Sequence, residues 1–296
     1  MISKEKMRTD VKWATRQRLQ YIELMAWYAG GVTRSDVAKA FGQSDPAATK
    51  DLKLYNDLVP GNLRYNHNVF GFVPTESFSP AFADLSPAAA LPILAANLAV
   101  ANGPYGTELI YGLPTASLPL PARLPSQHTL AQITRAIHGR RKLRVSYHSL
   151  SDRESEPARL LEPHTLVNTG LRWHVRAYSE ATCDFRDFVL SRMADAECLE
   201  GTAESSAQYD DDWVETVSLQ LAPHAGLDAA KRENLLLDYG AAGGVIELEV
   251  RRALLGYVLQ RLNVDTTLDH GMNPETCQLM LLNRDEIEPF AAWVFN

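Results

Sequence analysis

Arg144-Val145-Ser146-Tyr147-His148 opens a stretch that continues through Leu161-Glu162-Pro163-His164 and Trp173-His174-Val175-Arg176-Ala177-Tyr178. It closes in Arg186-Asp187-Phe188-Val189-Leu190-Ser191-Arg192. Apolar and polar residues alternate in these runs, the period of a half-buried strand. The pattern predicts strands over 143–148, 158–164, 172–179 and 185–193, a small and mostly antiparallel β domain. Side chains two apart share a strand face. Arg186, Phe188, Leu190 and Arg192 therefore fall on one face. His174, Arg176 and Tyr178 oppose Trp173, Val175 and Ala177, while Arg144, Ser146 and His148 oppose Val145, Tyr147 and Ser149. Guanidinium groups fork onto phosphate, and aromatic rings offer a face to a base. Arginines at this spacing fit a pocket for an anion. A solvated face with arginines paired to Glu154, Glu156 or Glu162 fits the same spacing.

Upstream lies a short helical series. Apolar residues Leu19, Ile22, Leu24, Met25, Trp27 and Tyr28 predict a helix over 17–29, stopped by Gly30-Gly31. Thr33 with Asp36 resembles a capping box for a second helix, 34–41. Gly42 ends it. Ser44 or Asp45 caps a third helix that runs to Pro60. Leu63 to Val73 reads as two short strands around a polar turn, a wing. Two helices joined by a glycine-containing turn make a helix-turn-helix. The N-terminal residues of its last helix reach base edges in the major groove. The expected DNA contacts are Ser44, Thr49, Lys50 and Lys53 on that helix. Arg34 is expected on phosphate, with Arg64, Asn66 and His67 on the wing. A three-helix interaction domain with solvated lysines carries the same pattern.

The charge distribution agrees with a DNA-reading head. The 296 residues carry a net charge of −7, but residues 1–75 hold 11 Lys/Arg against 7 Asp/Glu. Residues 201–296 hold 6 against 16. Phosphate contacts depend on local charge, not the total. No apolar run approaches the roughly 18–20 residues of a membrane span, and Met1 to Lys6 lacks an apolar signal core. The expectation is a cytoplasmic protein with no membrane association. Cys183, Cys198 and Cys277 are widely spaced and read as reduced thiols without a metal pattern.

Length and composition suit several domains. The expected boundaries are a head over 1–75, a helical and proline-rich connector over 76–128, a β domain over 129–202 and a C-terminal α+β module over 203–296. Ala88 to Val100 reads as a helix weakened by Pro92, and 112–125 as extended chain with four prolines. A helix over 129–140 leads into the β domain. Strands over 216–222, 244–251 and 276–283 alternate with helices over 225–237, 252–262 and 285–295. Asp210-Asp211-Asp212 reads as a solvated loop, and Gly240 to Gly244 as a turn.

The strand runs resemble the WYL-domain transcriptional regulators. Matching stretches are Arg144-Val145-Ser146-Tyr147, Leu161 to Val167, Trp173 to Tyr178 and Arg186 to Arg192. The triplet that names the family stands here as Trp173-His174-Val175. The resemblance extends over nearly the whole chain, and most closely to the repressors encoded beside phage-defence systems, the BREX and CBASS islands. It implies an α+β multidomain fold: an N-terminal winged helix-turn-helix, a central Sm-like small β barrel and a C-terminal α+β module. It implies a homodimer on an inverted repeat in double-stranded DNA and a pocket for an anionic nucleotide or oligonucleotide. By matching position the pocket residues are Tyr147, His164, Trp173, Arg186 and Arg192, with Ser146, Ser149, His174 and Arg176 as second choices. Trp173 fits barrel core as well as a ligand stack.

No phosphate loop, Gly-x-Ser-x-Gly, His-Glu-x-x-His or Cys-x-x-Cys is present in the sequence, so no enzyme activity, cofactor or metal is expected. The leading expectation is a ligand-responsive repressor of a phage-defence operon. The alternatives are a single-stranded nucleic-acid-binding accessory protein and a nucleotide-handling enzyme.

Overall fold

The structure is a computed structural model. It describes residues 11–101 (side chains to 95), 114–150 apart from 117, and 158–295 apart from 242. The chain divides into two compact units, Met1–Pro119 and Leu120–Asn296.

The first unit contains α1 (Trp13–Tyr28), α2 (Arg34–Phe41) and α3 (Asp45–Leu58), then β1 (Leu63–Asn66), β2 (Gly71–Pro74) and α4 (Pro87–Ala101). Leu19, Ile22, Val37, Leu52 and Tyr55 meet in one core. The expected capping box forms: Asp36 N–H donates to Thr33 Oγ1, and Thr33 N–H donates to the Asp36 carboxylate. Gly42 then ends α2 in the left-handed region, at φ 58°. The wing is an antiparallel hairpin with Asn66 opposite Gly71. Val32 bridges Phe72, exchanging two backbone hydrogen bonds of 2.8 Å. A Cβ on Gly71 would lie 2.9 Å from the Val32 carbonyl oxygen. Only glycine lets the start of β2 approach the α1–α2 turn this closely. The segment after the wing folds back on the head. Glu23 is fully buried and accepts backbone N–H bonds from Ala81 (2.7 Å), Phe82 (2.9 Å) and Ala83 (2.6 Å). It also accepts the Tyr55 hydroxyl at 3.0 Å.

The second unit begins with an irregular segment and α5 (Gln127–Gly139). Five strands follow: β3 (Arg141–Tyr147), β4 (Arg159–Asn168), β5 (Trp173–Ser179), β6 (Asp184–Val189) and β7 (Met193–Thr202). They form an antiparallel sheet in the order β6-β5-β4-β3-β7, over a core of Leu143, Val145, Leu161, Val175, Ala177 and Phe188. Two expectations need correction here. Residues 185–193 are not one strand, because Leu190–Arg192 form a 3-10 turn between β6 and β7. Phe188, Val189 and Leu190 are all buried, and three consecutive buried side chains do not fit the two-residue period of a half-buried strand. The expected closed Sm-like barrel is not seen either. β6 and β7 are the end strands, and no ladder joins them among the described residues. The sheet's ladders shift register at three points, one of them between Pro163 and Thr165. Pro163 has no N–H to give the ladder, which favours a bulge at that point.

The rest of the second unit is a four-stranded sheet in the order β10-β11-β8-β9. Its strands are β8 (Thr216–Pro223), β9 (Ile246–Arg251), β10 (Val264–Asp265) and β11 (Leu279–Leu281). The helices around it are α6 (Asp211–Val214), α7 (Ala229–Asp238), α8 (Leu255–Arg261) and α9 (Arg284–Phe295). Leu219, Leu221, Leu255, Leu259, Leu279 and Ile287 fill its core. The alternation expected from the sequence is present, and the short parallel strand β10 is an addition to it. No helix among the described residues is long and apolar enough to cross a membrane.

Candidate DNA-reading face and anion site

In the first unit α3 is set by ionic contacts beneath it. Arg18 forks onto Asp51 through Nε (2.7 Å) and Nη2 (3.1 Å), and Gln43 Nε2 donates to the same carboxylate at 2.9 Å. Asp51 is buried, so this pairing ties α3 to α1 and to the turn before it. The opposite face of α3 is polar and open. Thr49, Lys50 and Lys53 are exposed there, as are Ser44 at the N-cap and Arg64 on β1. Thr49 donates its hydroxyl to the Asp45 carbonyl at 2.9 Å. Arg34 is exposed and sits 3.1 Å from the Asp45 carboxylate, a surface pair that must yield before Arg34 meets phosphate. On the wing, Asn66 accepts the Asn68 N–H at 2.9 Å, and His67 lies edge-on to Tyr65. A groove of about 770 Å³ brings together Arg34, Thr49, Lys53, Asn56, Tyr65 and Phe70.

The second unit sorts the expected pocket residues into two groups. Arg176 is buried and locked. It forks onto Asp210 at 2.7 and 2.9 Å, with Asp187 at 3.7 Å and Asp212 at 3.9 Å. His164 stands at the bulge and is turned onto the same carboxylate: its Nε2 lies 3.1 Å from Asp210 and its Nδ1 2.8 Å from the Thr165 hydroxyl. Burial lowers the His164 pKa, opposed by Asp210. Burial would raise the Asp210 pKa, but the hydrogen bond and charge of Arg176 outweigh it and lower it. Asp210 is 1% exposed, which corrects the reading of a solvated loop at that residue, while Asp211 and Asp212 are exposed as expected, in the first turn of α6. A carboxylate that holds a buried guanidinium cannot stay in water. Arg186 is exposed beside Asp184, and Arg192 lies in the 3-10 turn, so the two do not share a strand face.

The second group centres on His174. His174 is 1% exposed, and its Nδ1 has no hydrogen-bond partner among the described residues. Its pKa is lowered to about 4, first by burial and then by the charges of Arg172, Arg192 and Arg123. Burial and the same two neighbouring arginines, Arg123 and Arg192, lower the Arg172 pKa. Among the described residues no carboxylate pairs with any of these three arginines. Arg172 and Arg123 were not singled out from the sequence. One precedes β5 and the other lies in the proline-rich segment, and no spacing rule links them. Tyr147 is buried in the core, T-shaped to Phe188, and its hydroxyl accepts the Val189 N–H at 3.2 Å. Arg159 lies over its ring at 5.0 Å. The His148 N–H donates to the Arg192 carbonyl at 2.9 Å, which holds the turn against the end of β3. Ser146 and Ser149 flank that end and are half-buried. Trp173 is 39% exposed and does not belong to the core. Glu162 pairs with Lys142 at 3.2 Å and not with an arginine; Glu154 and Glu156 lie outside the described residues.

Comparison with known proteins places these features in one family. Residues 14–96 match the family model described as the BrxR transcriptional regulator winged helix-turn-helix domain. Residues 128–198 match the WYL domain, and 216–287 the BrxR transcriptional regulator C-terminal dimerization domain. Relatives described as the DNA-binding transcriptional repressor CapW are similar over nearly the full length. That of Escherichia coli (strain KTE188) is 36% identical over 286 residues, covering 96% of this chain and 94% of the relative. That of Pseudomonas aeruginosa is 35% identical over 285 residues, with the same coverage. That of Stenotrophomonas maltophilia is 32% identical over 283 residues, covering 95% and 93%. With this identity sustained across a winged head, a WYL domain and a C-terminal domain in the same order, the chain belongs to the WYL-domain transcriptional regulators of the BrxR and CapW type.

Proposed function

We propose that the chain is a repressor that binds an inverted-repeat operator in duplex DNA as a homodimer. In this reading it senses an anionic nucleotide or oligonucleotide in its WYL domain and controls a phage-defence operon. The observation that carries the sensing half is the buried His174, whose Nδ1 has no hydrogen-bond partner, in the field of Arg123, Arg172 and Arg192, none of which is ion-paired to a carboxylate among the described residues. Like charges held together call for a counter-anion, and phosphate accepts guanidinium forks. The reading therefore assigns the pocket to these four residues and gives Arg176 and His164 a supporting role. The exposed cations on α3 and the wing support the DNA-binding half.

A ligand shifts the repressor only if it binds the DNA-free state more tightly than the DNA-bound one. Tyr257 on α8 offers a route, because its ring packs against His174. A two-fold dimer requires half-sites related by a dyad.

The test is fluorescence anisotropy with a duplex from the region upstream of the chain's own gene, followed by titration of a short single-stranded oligonucleotide. Lys50→Glu should weaken duplex binding by about tenfold or more, since it removes one phosphate contact and adds repulsion. Equal affinity at physiological salt removes α3 from the reading. Arg192→Ala should keep duplex binding and lose the oligonucleotide response. Preference for the single strand over any duplex supports an accessory protein instead, and nucleotide turnover lost with Arg192 supports an enzyme.

A further inference from the structure

The wing tip carries an apolar group that the core of the head does not use. Phe70 is 78% exposed, and Val69 beside it is 51% exposed. Phe70 also holds a φ of 49°, a left-handed backbone that residues with side chains seldom adopt. It is the last residue of the turn between Asn66 and Gly71. Turn geometry alone favours glycine or asparagine there. Neither burial nor backbone preference explains a phenylalanine at this position.

The hairpin that carries the ring is held in place. The tip end of β2 is fixed by the Val32–Phe72 bridge and by the close approach at Gly71. Tyr65 and Phe72 pack edge-on at 5.4 Å behind the tip. Phe70 lines the same groove as Arg34, Thr49 and Lys53, and the exposed Arg64 is on the same hairpin. An apolar ring ringed by cations matches the edge of a nucleic-acid duplex, where sugars and base steps are apolar and phosphates flank them. A second copy of this surface would set cations against cations, so it is the poorer occupant.

We propose that Phe70 is a DNA-contacting wedge at the tip of the wing: its ring enters the minor groove of the duplex whose major groove receives α3. The proposal rests on the DNA-binding reading of the head. The contact neutralises no phosphate, so it adds affinity without adding to the salt dependence. Apolar wedges of this kind also kink the duplex where they enter.

The experiment measures anisotropy of the labelled upstream duplex over a salt series with the full chain. The proteins are wild type, Phe70→Asn, Phe70→Leu and Lys53→Ala. Asparagine tolerates the left-handed turn and removes the ring; leucine keeps an apolar group. Phe70→Asn should weaken binding by about tenfold with an unchanged slope of log affinity against log salt, and an unchanged melting temperature. Phe70→Leu should retain most of the affinity. Lys53→Ala should lower the slope by about 1. Wild-type affinity in Phe70→Asn, or a loss that comes with a lower slope, overturns the wedge. Equal losses of affinity and melting temperature in both Phe70 variants assign the residue to the turn and overturn it as well. A wild-type chain that ignores the duplex overturns the reading of the head itself.

Discussion

Tyr257 closes one side of His174: their rings lie 5.0 Å apart at 45°. The Tyr257 hydroxyl donates to Asp187 at 3.1 Å, and Trp293 backs its ring at 5.5 Å. His174 and Asp187 belong to the WYL sheet, Tyr257 and Trp293 to the C-terminal helices. One side chain thus fastens the arginine cluster to the domain expected to dimerise. Burial, then Asp187, raises the Tyr257 pKa, and burial raises that of Asp187, so the pair is a donor and acceptor in a dry setting.

Tyr257→Phe keeps the ring and deletes this donor. The mostly buried Asp187 carboxylate then loses a partner, which should cost about 1–3 kcal/mol of stability in urea denaturation. Any oligonucleotide response that passes through this contact should fall along with it. An unchanged response removes Tyr257 from the route.

Arg176 and Arg192 should behave in opposite ways. Arg176→Ala strands buried Asp210 and should destabilise by about 3–5 kcal/mol. Arg192→Ala relieves a like-charge group and should leave stability within about 0.5 kcal/mol of wild type. Chemical denaturation of both variants checks this. Comparable losses would make Arg192 part of the fold and remove it from the anion site.

The buried His174 sets a pH dependence. Its pKa in the folded chain is lowered to about 4, against an unfolded value of 6.5. Between these values the unfolded chain binds the extra proton, so stability rises with pH there. The contribution is present above about pH 6.5 and falls away toward pH 4, by about 3 kcal/mol in total. His174→Gln should flatten that part of the stability profile. An anion beside the arginines offsets their charge and raises the His174 pKa. Ligand affinity should therefore strengthen as pH falls from 7 toward 5, with proton uptake measurable by calorimetry in two buffers.

Glu23 anchors the segment that follows the wing. Glu23→Ala leaves three backbone N–H groups and the Tyr55 hydroxyl without their acceptor. The expected loss is about 3–5 kcal/mol, with weaker duplex binding as the head loosens. A melting temperature equal to wild type would mean that water replaces the carboxylate.

Local chemistry made much of this fold legible. Thr33 and Asp36 announced the start of α2 because a capping box needs only neighbours in sequence. The wing was readable from alternation around a polar turn. The helix over 87–101 forms despite Pro92, in agreement with its apolar pattern. The alternation of 185–193 misled, because a strand period continued across residues that the core required to be buried in succession.

The sequence by itself determined most of the element order, the basic head and the family, since each depends on spacing along the chain; β10 and the turn at Leu190–Arg192 emerge only in the fold. Tertiary structure alone decided which arginines are available. Arg176 is neutralised by Asp210 and Asp187, distant in sequence, and Arg186 is set apart at the sheet edge. Arg123 and Arg172 join Arg192 only because folding brings a proline-rich segment, a strand end and a 3-10 turn to one place. The reason is electrostatic: a guanidinium's availability depends on which carboxylates lie within a few ångströms, and sequence spacing does not encode that distance.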